Sequence, residues 1–300
     1  MGSSCRRTEL QPNGRLKFAC TFLPVYVFTL NVVGQTPDVE VELLLPANTG
    51  CPHVYAMRPA DVKRLARADW VIANGLGMEP FLDEWLRTNP QARVMTISDD
   101  CEVIAEEHDH PANHDHAADH ESHAHESVNG HVWVSPREAV RQVRTLARKL
   151  AAADPARGED YKANAEAYIG RLEALHRRMT EAAKGFINRR IVTSHDAFAY
   201  LARDLDLTVV ATLSSDTGHA PSSGELTTAV SAIRQTGAAA VFFEAGSAER
   251  IARTVAAEAK VPALPLNPLN SHPGMPSADT YETVMADNLR VLQQVLGGGS

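Results

Sequence analysis

Apolar positions along the chain form two kinds of run, and their alternation sets the expected fold. Residues 39–45 (VEVELLL) alternate apolar with acidic residues and then turn wholly apolar, as a strand does when one end is buried more deeply. Short apolar runs predict further strands at 17–21, 70–73 and 93–97. Helix patterns stand between them: 24–33, stopped by Gly34; 59–68, opened by Pro59 with Asp61 in its first turn; and 80–88, opened by Pro80. Strand and helix thus alternate, ending on a strand, which is the pattern of a parallel sheet covered on both faces.

The clearest periodicity comes next. Residues 136–152 predict a helix broken at Asp154-Pro155. Beyond it Tyr161, Ala165, Tyr168, Leu172, Leu175, Met179, Ala182 and Phe186 recur at alternating spacings of four and three. That is an apolar seam on one helix of about 27 residues, roughly 40 Å long at 1.5 Å per residue. A seam of this kind also suits a coiled coil with a partner, but the αβ patterns on both sides favour one helix lying across two lobes. The alternation then resumes, with strands at 191–194, 208–212, 240–243 and 263–266 and helices at 196–204, 224–236, 248–259 and 281–296. The expected fold class is α/β: two lobes, each with a mainly parallel sheet flanked by helices, joined by one long rigid helix. The lobes are expected at 16–153 and 189–296, with 154–188 as the link.

Composition adds limits. A length of 300 residues favours two domains with a core each, and 44% apolar content is that of a globular chain. The net charge of −8, with no Lys/Arg-rich face, disfavours nucleic acid as a partner. Cys5, Cys20, Cys51 and Cys101 are widely spaced without a CxxC, which excludes a cysteine-rich zinc knuckle and leaves one disulfide or buried free thiols as alternatives. No run of about eighteen apolar residues is present to span a membrane. The first residues lack the apolar stretch of a signal peptide, so the expectation is either a cytoplasmic protein or an exported one whose signal has been replaced by the MGSS opening.

Candidate chemistry is concentrated in histidine. Of thirteen, seven crowd into one acidic tract: His108, His110, His114, His116, His120, His123 and His125. The tract has no apolar period and is expected to be a mobile loop that collects metal weakly, with a plain soluble linker as the bland alternative. Three other histidines stand where strands end, the place where ligands gather in open α/β sheets. His53 follows strand 39–45, His131 closes the long connection after 93–97, and His195 follows 191–194 directly. Their separations of 78 and 64 residues exclude a local motif, so only the fold could assemble them. Taken alone, each is as readily a surface or core imidazole.

The chain resembles the metal-binding solute receptors of ABC importers, the zinc and manganese uptake family, from about Lys17 to Leu296. The resemblance is carried by TFLPVYVFTLNVVG, GCPHVYAMRPADVKRLARADWVIANGLGMEPFLDEW, the acidic histidine tract ending in GHVWVSPREAV, VTSHDAFAYLARDLDL, VFFEAGS and TYETVMADNLRVL, in the family's order. It implies that His53, His131 and His195 are ligands to a transported metal ion rather than to a cofactor. It further implies an extracytoplasmic, monomeric receptor that delivers the ion to a membrane permease. Three imidazoles suit Zn²⁺ better than Mn²⁺. The chain departs from the family at two places. Asn267 stands where many members carry an aspartate as fourth ligand, and Cys51 stands where an acidic residue usually precedes Pro-His. Glu244 and Asn267 are candidates for a fourth ligand or for orienting a histidine, with water as the leading fourth donor. A Cys51 thiolate could in principle reach the ion, with burial or misdirection as the blander reading. A manganese receptor, a metal-dependent adhesin and a zinc hydrolase are the alternative functions. The hydrolase needs a general base, which Glu244 alone could supply, and the sequence offers no oxyanion stabiliser.

Overall fold

The computed structural model describes residues 15–105, 128–213 and 221–297. The first sheet holds β1 (Leu16–Cys20), β2 (Val39–Leu43), β3 (Trp70–Ala73) and β4 (Val94–Thr96), all parallel, in the order β2-β1-β3-β4. Its crossovers carry α1 (Leu23–Val33), α2 (Pro59–Leu65) and α3 (Asp83–Thr88). The second sheet holds β5 (Arg190–Thr193), β6 (Thr208–Thr212), β7 (Val241–Phe243) and β8 (Ala263–Pro265), again parallel and in the equivalent order, β6-β5-β7-β8. Its helices are α6 (Ala199–Asp204), α7 (Ser223–Thr236), α8 (Ser247–Ala259) and α9 (Thr280–Leu296). Between the sheets run α4 (Pro136–Ala153) and α5 (Gly158–Ala183).

The expected α/β architecture with its long helix is the observed one. The seam on α5 is buried within the chain, against α1, α4 and α9, so it needs no coiled-coil partner. Two details differ. The helix ends at Ala183, so Phe186 is buried beyond it; and Ala183 is fully buried where Ala182 packs against the core only partly buried. The four-three spacing drifts against 3.6 residues per turn, so by the last turn the buried stripe has moved on by one position.

The cores differ from expectation as well. One apolar core runs from Phe18, Ile72 and Met95 in the first lobe through Tyr168 and Leu172 of α5 to Ile191, Phe198, Phe242 and Tyr281 of the second. A smaller cluster of Val192, Ile233, Val241, Phe243 and Val255 lies on the outer face of the second sheet. Successive residues Val241, Phe242 and Phe243 alternate between the two clusters, as side chains on a strand must.

Trp133 fastens the lobes. It is fully buried, donates from Nε1 to the Pro268 carbonyl at 2.6 Å, and packs edge-on against Phe22. The Tyr281 hydroxyl in turn donates to the Trp133 carbonyl at 2.8 Å. Further bonds join Gly50 to Asn270 and His272 to Ala47 through the backbone, and Ser135 to Asp204 through side chains. Among the described residues no helix is long and apolar enough to cross a membrane.

Candidate metal centre

Each histidine predicted from the sequence is delivered by a strand end or a helix start. His53 lies in a single 3-10 turn, Pro52–Val54, on the connection from β2 to α2. His131 precedes a second 3-10 turn, Val132–Val134, after which Ser135 caps α4 by accepting from the Glu138 amide at 3.1 Å. Pro136 in the first turn of α4 suits that start, because its missing N–H would have no partner there. His195 follows β5, one of the two central strands, where the strand order reverses. Gly130 brings the chain into position against the first lobe. A Cβ there would lie 2.6 Å from Met78 Sδ and 2.8 Å from the Leu76 carbonyl, so the approach needs glycine.

The three rings converge. His131 and His195 stand with centroids 5.1 Å apart and His131 and His53 at 5.6 Å, both pairs nearly perpendicular. His131 is 2% exposed. Its neighbour Asn129 fixes its tautomer. Asn129 Oδ1 accepts from the His131 backbone N–H at 2.9 Å, so that atom is the oxygen, and His131 Nδ1, 3.1 Å from it, must carry the proton. Asn129 Nδ2 donates to the carbonyl and the Oδ2 carboxylate oxygen of Asp196, at 3.1 and 2.9 Å. On the other side His195 Nδ1 is held by Glu244, whose second oxygen accepts from Asn270 Nδ2 at 2.5 Å. Both rings are therefore tied back through Nδ1, and their Nε2 atoms face one another at 3.4 Å.

Electrostatics keep His131 receptive to a cation. Burial, then the neighbouring His195 and His53, holds His131 well below its ordinary value, so it remains neutral with its Nε2 lone pair free. Cys51 Sγ lies 3.5 Å from His53 Nδ1, and Cys51, His53 and His131 place donor atoms within 4.8 Å of one another. Burial pushes this thiol up, but the bonds to His195 and His53 outweigh it and hold the group below the usual range. Cys20 and Cys101, which burial raises to about 12, behave in the opposite sense. All three of these cysteines are free thiols, and Cys5 is outside the described residues. Behind His53, burial pushes the Glu79 carboxyl up to about 7 against bonds from Asn74 N, Thr21 Oγ and Gly75 N.

Among the described residues, two groups have donor atoms within 4.8 Å of one another: Cys51, His53 and His131, and His131, His195 and Asp196. The fold thus gathers His53, His131 and His195. Glu244 reaches the cluster by way of His195. Asn267 is committed to its own loop, where Oδ1 accepts from Leu269 N at 2.8 Å and Nδ2 donates to the Ser271 carbonyl at 2.9 Å. His108, His110, His114, His116, His120, His123 and His125 lie outside the described residues. Sequence reasoning missed Asn129 and Asp196. Their only signal was adjacency to His131 and His195, which cannot reveal a bond between lobes.

Residues 19–295 match the family described as zinc-uptake complex component A, periplasmic. The zinc-binding lipoprotein AdcA of Streptococcus pneumoniae is 33% identical over 294 residues, covering 95% of this chain; the chain spans 57% of that protein's length. FpvC of Pseudomonas aeruginosa, in complex with Ni²⁺, superposes with a TM-score of 0.80 at 28% identity, covering 95% of this chain and 98% of that one. The Zn(II)-bound ZnuA-like domain of the S. pneumoniae AdcA superposes with a TM-score of 0.73 at 29% identity, covering 94% and 99%. With a family match running through both lobes and all three converging histidines, the chain belongs to the periplasmic zinc-uptake component A family.

Proposed function

We propose that this protein is an extracytoplasmic receptor that captures Zn²⁺ between its lobes and delivers it to an ABC-type membrane permease. The ion is cargo, held by His53, His131 and His195. The carrying observation is the Nε2–Nε2 approach of 3.4 Å between two imidazoles that are both held from behind at Nδ1. A cation entering there takes one nitrogen donor from each ring. Glu244, and Asn129 backed by Asp196, orient the rings, as partners of metal-bound imidazoles commonly do. The Zn(II)-bound streptococcal domain supports zinc as the cargo; FpvC in complex with Ni²⁺ and with Mn²⁺ keeps manganese as the alternative, against which three nitrogen donors weigh. A hydrolase finds less support, because Glu244, its would-be general base, is engaged by His195 and Asn270. The functional units are the lobes 16–153 and 189–296 about the link 154–188, and the receptor acts as a monomer. By composition the histidine tract adds weak, multiple metal binding.

Titration calorimetry of chelator-stripped protein tests this reading. One tight Zn²⁺ site and a weaker class are expected, with Mn²⁺ bound less tightly. Deleting residues 108–125 removes the weak class and spares the tight one. His195→Ala weakens the tight site by more than the roughly 10–100-fold that orienting groups contribute, whereas His176→Ala leaves it unchanged. Loss of the tight site on tract deletion, or indifference to His195→Ala, overturns it.

A further inference from the structure

The three imidazoles leave one corner of a zinc tetrahedron to fill, and the first lobe offers an occupant. Cys51 and His53 flank Pro52 at the start of a 3-10 turn, with Cys51 extended (φ −63°, ψ 126°) immediately before it. This conformation brings side chains two residues apart onto one side. The thiol sits 3.5 Å from His53 Nδ1, and its donor atom lies within 4.8 Å of those of both His53 and His131. Zn–N bonds of about 2.0–2.1 Å and Zn–S bonds of about 2.3 Å at tetrahedral angles put two nitrogen donors about 3.3 Å apart, and a nitrogen and a sulfur about 3.6 Å apart. The chain holds two of these donor pairs, His131 Nε2 with His195 Nε2 and Cys51 Sγ with His53 Nδ1, at 3.4 and 3.5 Å. Two of the competing oxygen donors are engaged elsewhere: Glu244 holds His195 Nδ1 and Asn270, and Asn267 closes its own loop. Asp196, whose Oδ2 accepts from Asn129, stands with His131 and His195 and is the competing donor that the test below must separate from the thiol.

We propose that Cys51 supplies the fourth donor as a thiolate, making the site Cys-His₃ with Nδ1 of His53 and Nε2 of His131 and His195. The inference rests on the reading of the three histidines as ligands to cargo. Binding then proceeds with balanced atoms: the Cys51 S–H bond breaks, its proton passes to solvent, the S–Zn bond forms, and no electron changes hands. A sulfur donor changes what the receptor selects. Thiolate with imidazole favours zinc and similar borderline-soft tetrahedral cations and disfavours Mn²⁺, which prefers oxygen. This position is one where the family's usual residue is a carboxylate, so the substitution sharpens the choice of cargo at one ligand.

Cobalt substitution tests it. The full chain, kept reduced and stripped of metal, is titrated with one equivalent of Co²⁺. The wild type is expected to give a thiolate-to-cobalt charge-transfer band in the near ultraviolet. Cys51→Ser, which retains Cys20 and Cys101, loses the band while still binding cobalt. Its Zn²⁺ affinity falls by at least about tenfold, and its preference for Zn²⁺ over Mn²⁺ narrows. Tight cobalt binding without the band, a band that survives in Cys51→Ser, or unchanged zinc affinity in that variant overturns the thiolate donor and leaves the three-histidine reading standing. Failure of the wild type to bind either metal tightly overturns both.

Discussion

At the scale of single residues, the centre is governed by which nitrogen carries a proton. Asn129 settles this for His131 before any ion arrives, and Glu244 holds His195 by its Nδ1. His131 also carries a pH signature. Its folded value lies well below the ordinary one, so between the two the unfolded chain binds a proton that the folded chain refuses. Metal-free stability attributable to His131 is therefore full above about pH 6.5 and falls as pH drops below it. Glu79 has the opposite sign: with its folded value raised to about 7, its contribution is complete below the ordinary carboxyl range and is lost as pH rises through about 7. The two oppose each other over an interval, so the total stability is a poor readout. The difference between wild type and His131→Gln, measured as urea midpoints at pH 8, 6.5 and 5, isolates the histidine: wild type loses more on acidification than the variant. His53, His131 and His195 were legible as strand-end histidines, and the family pattern bound them together. Asn129 was not legible, because an Asn-Gly pair before a histidine reads as a turn.

At the scale of elements, the segment from Asn129 to Pro136 does several jobs in eight residues. Asn129 reaches across to Asp196, Gly130 passes against Met78, His131 presents Nε2, Trp133 locks the lobes and Ser135 starts α4. Gly130→Ala inserts a Cβ within 3 Å of both Met78 Sδ and a backbone carbonyl, so the segment must shift. The displacement falls on His131 first, being the next residue. Tight zinc binding is expected to weaken by about 10–100-fold, the range for disturbed ligand orientation, with the helix content of the chain retained. A chromophoric chelator competition beside circular dichroism reads both. The helix start at Ser135-Pro136 was legible from capping chemistry. The glycine's role was not, since it depends on β3's following loop, 52 residues earlier at Met78.

At the scale of the whole molecule, two sheets with the same strand order are combined with a core that does not respect the boundary between them. Alternation in the sequence revealed the sheets and the long helix, because period and element length are local properties. The shared core was hidden, because period shows that a strand has an apolar face but not which element covers it. The bonds of Trp133 and Tyr281 and the backbone bonds of Gly50 and His272 hold the lobes together around the histidines. A wide hinge would have to break these and expose core. Zinc loading is therefore expected to leave the radius of gyration unchanged in small-angle scattering; a clear contraction on binding would contradict the shared core as the lobes' fastening.

One asymmetry of the centre has a mechanical consequence. Cys51, His53 and His131 all issue from connections of the first sheet, whereas His195, with Glu244 behind it, is the second sheet's contribution. A cation held by this set has a home side and a far side. A small shear that withdraws β5 costs it one ligand and leaves it seated on the first lobe, exposed along the direction just vacated. If the protein delivers its ion as proposed, work done on the molecule by a docking partner would be concentrated on that single bond, and unloading would be a directed event whose first step has the geometry of a latch being drawn.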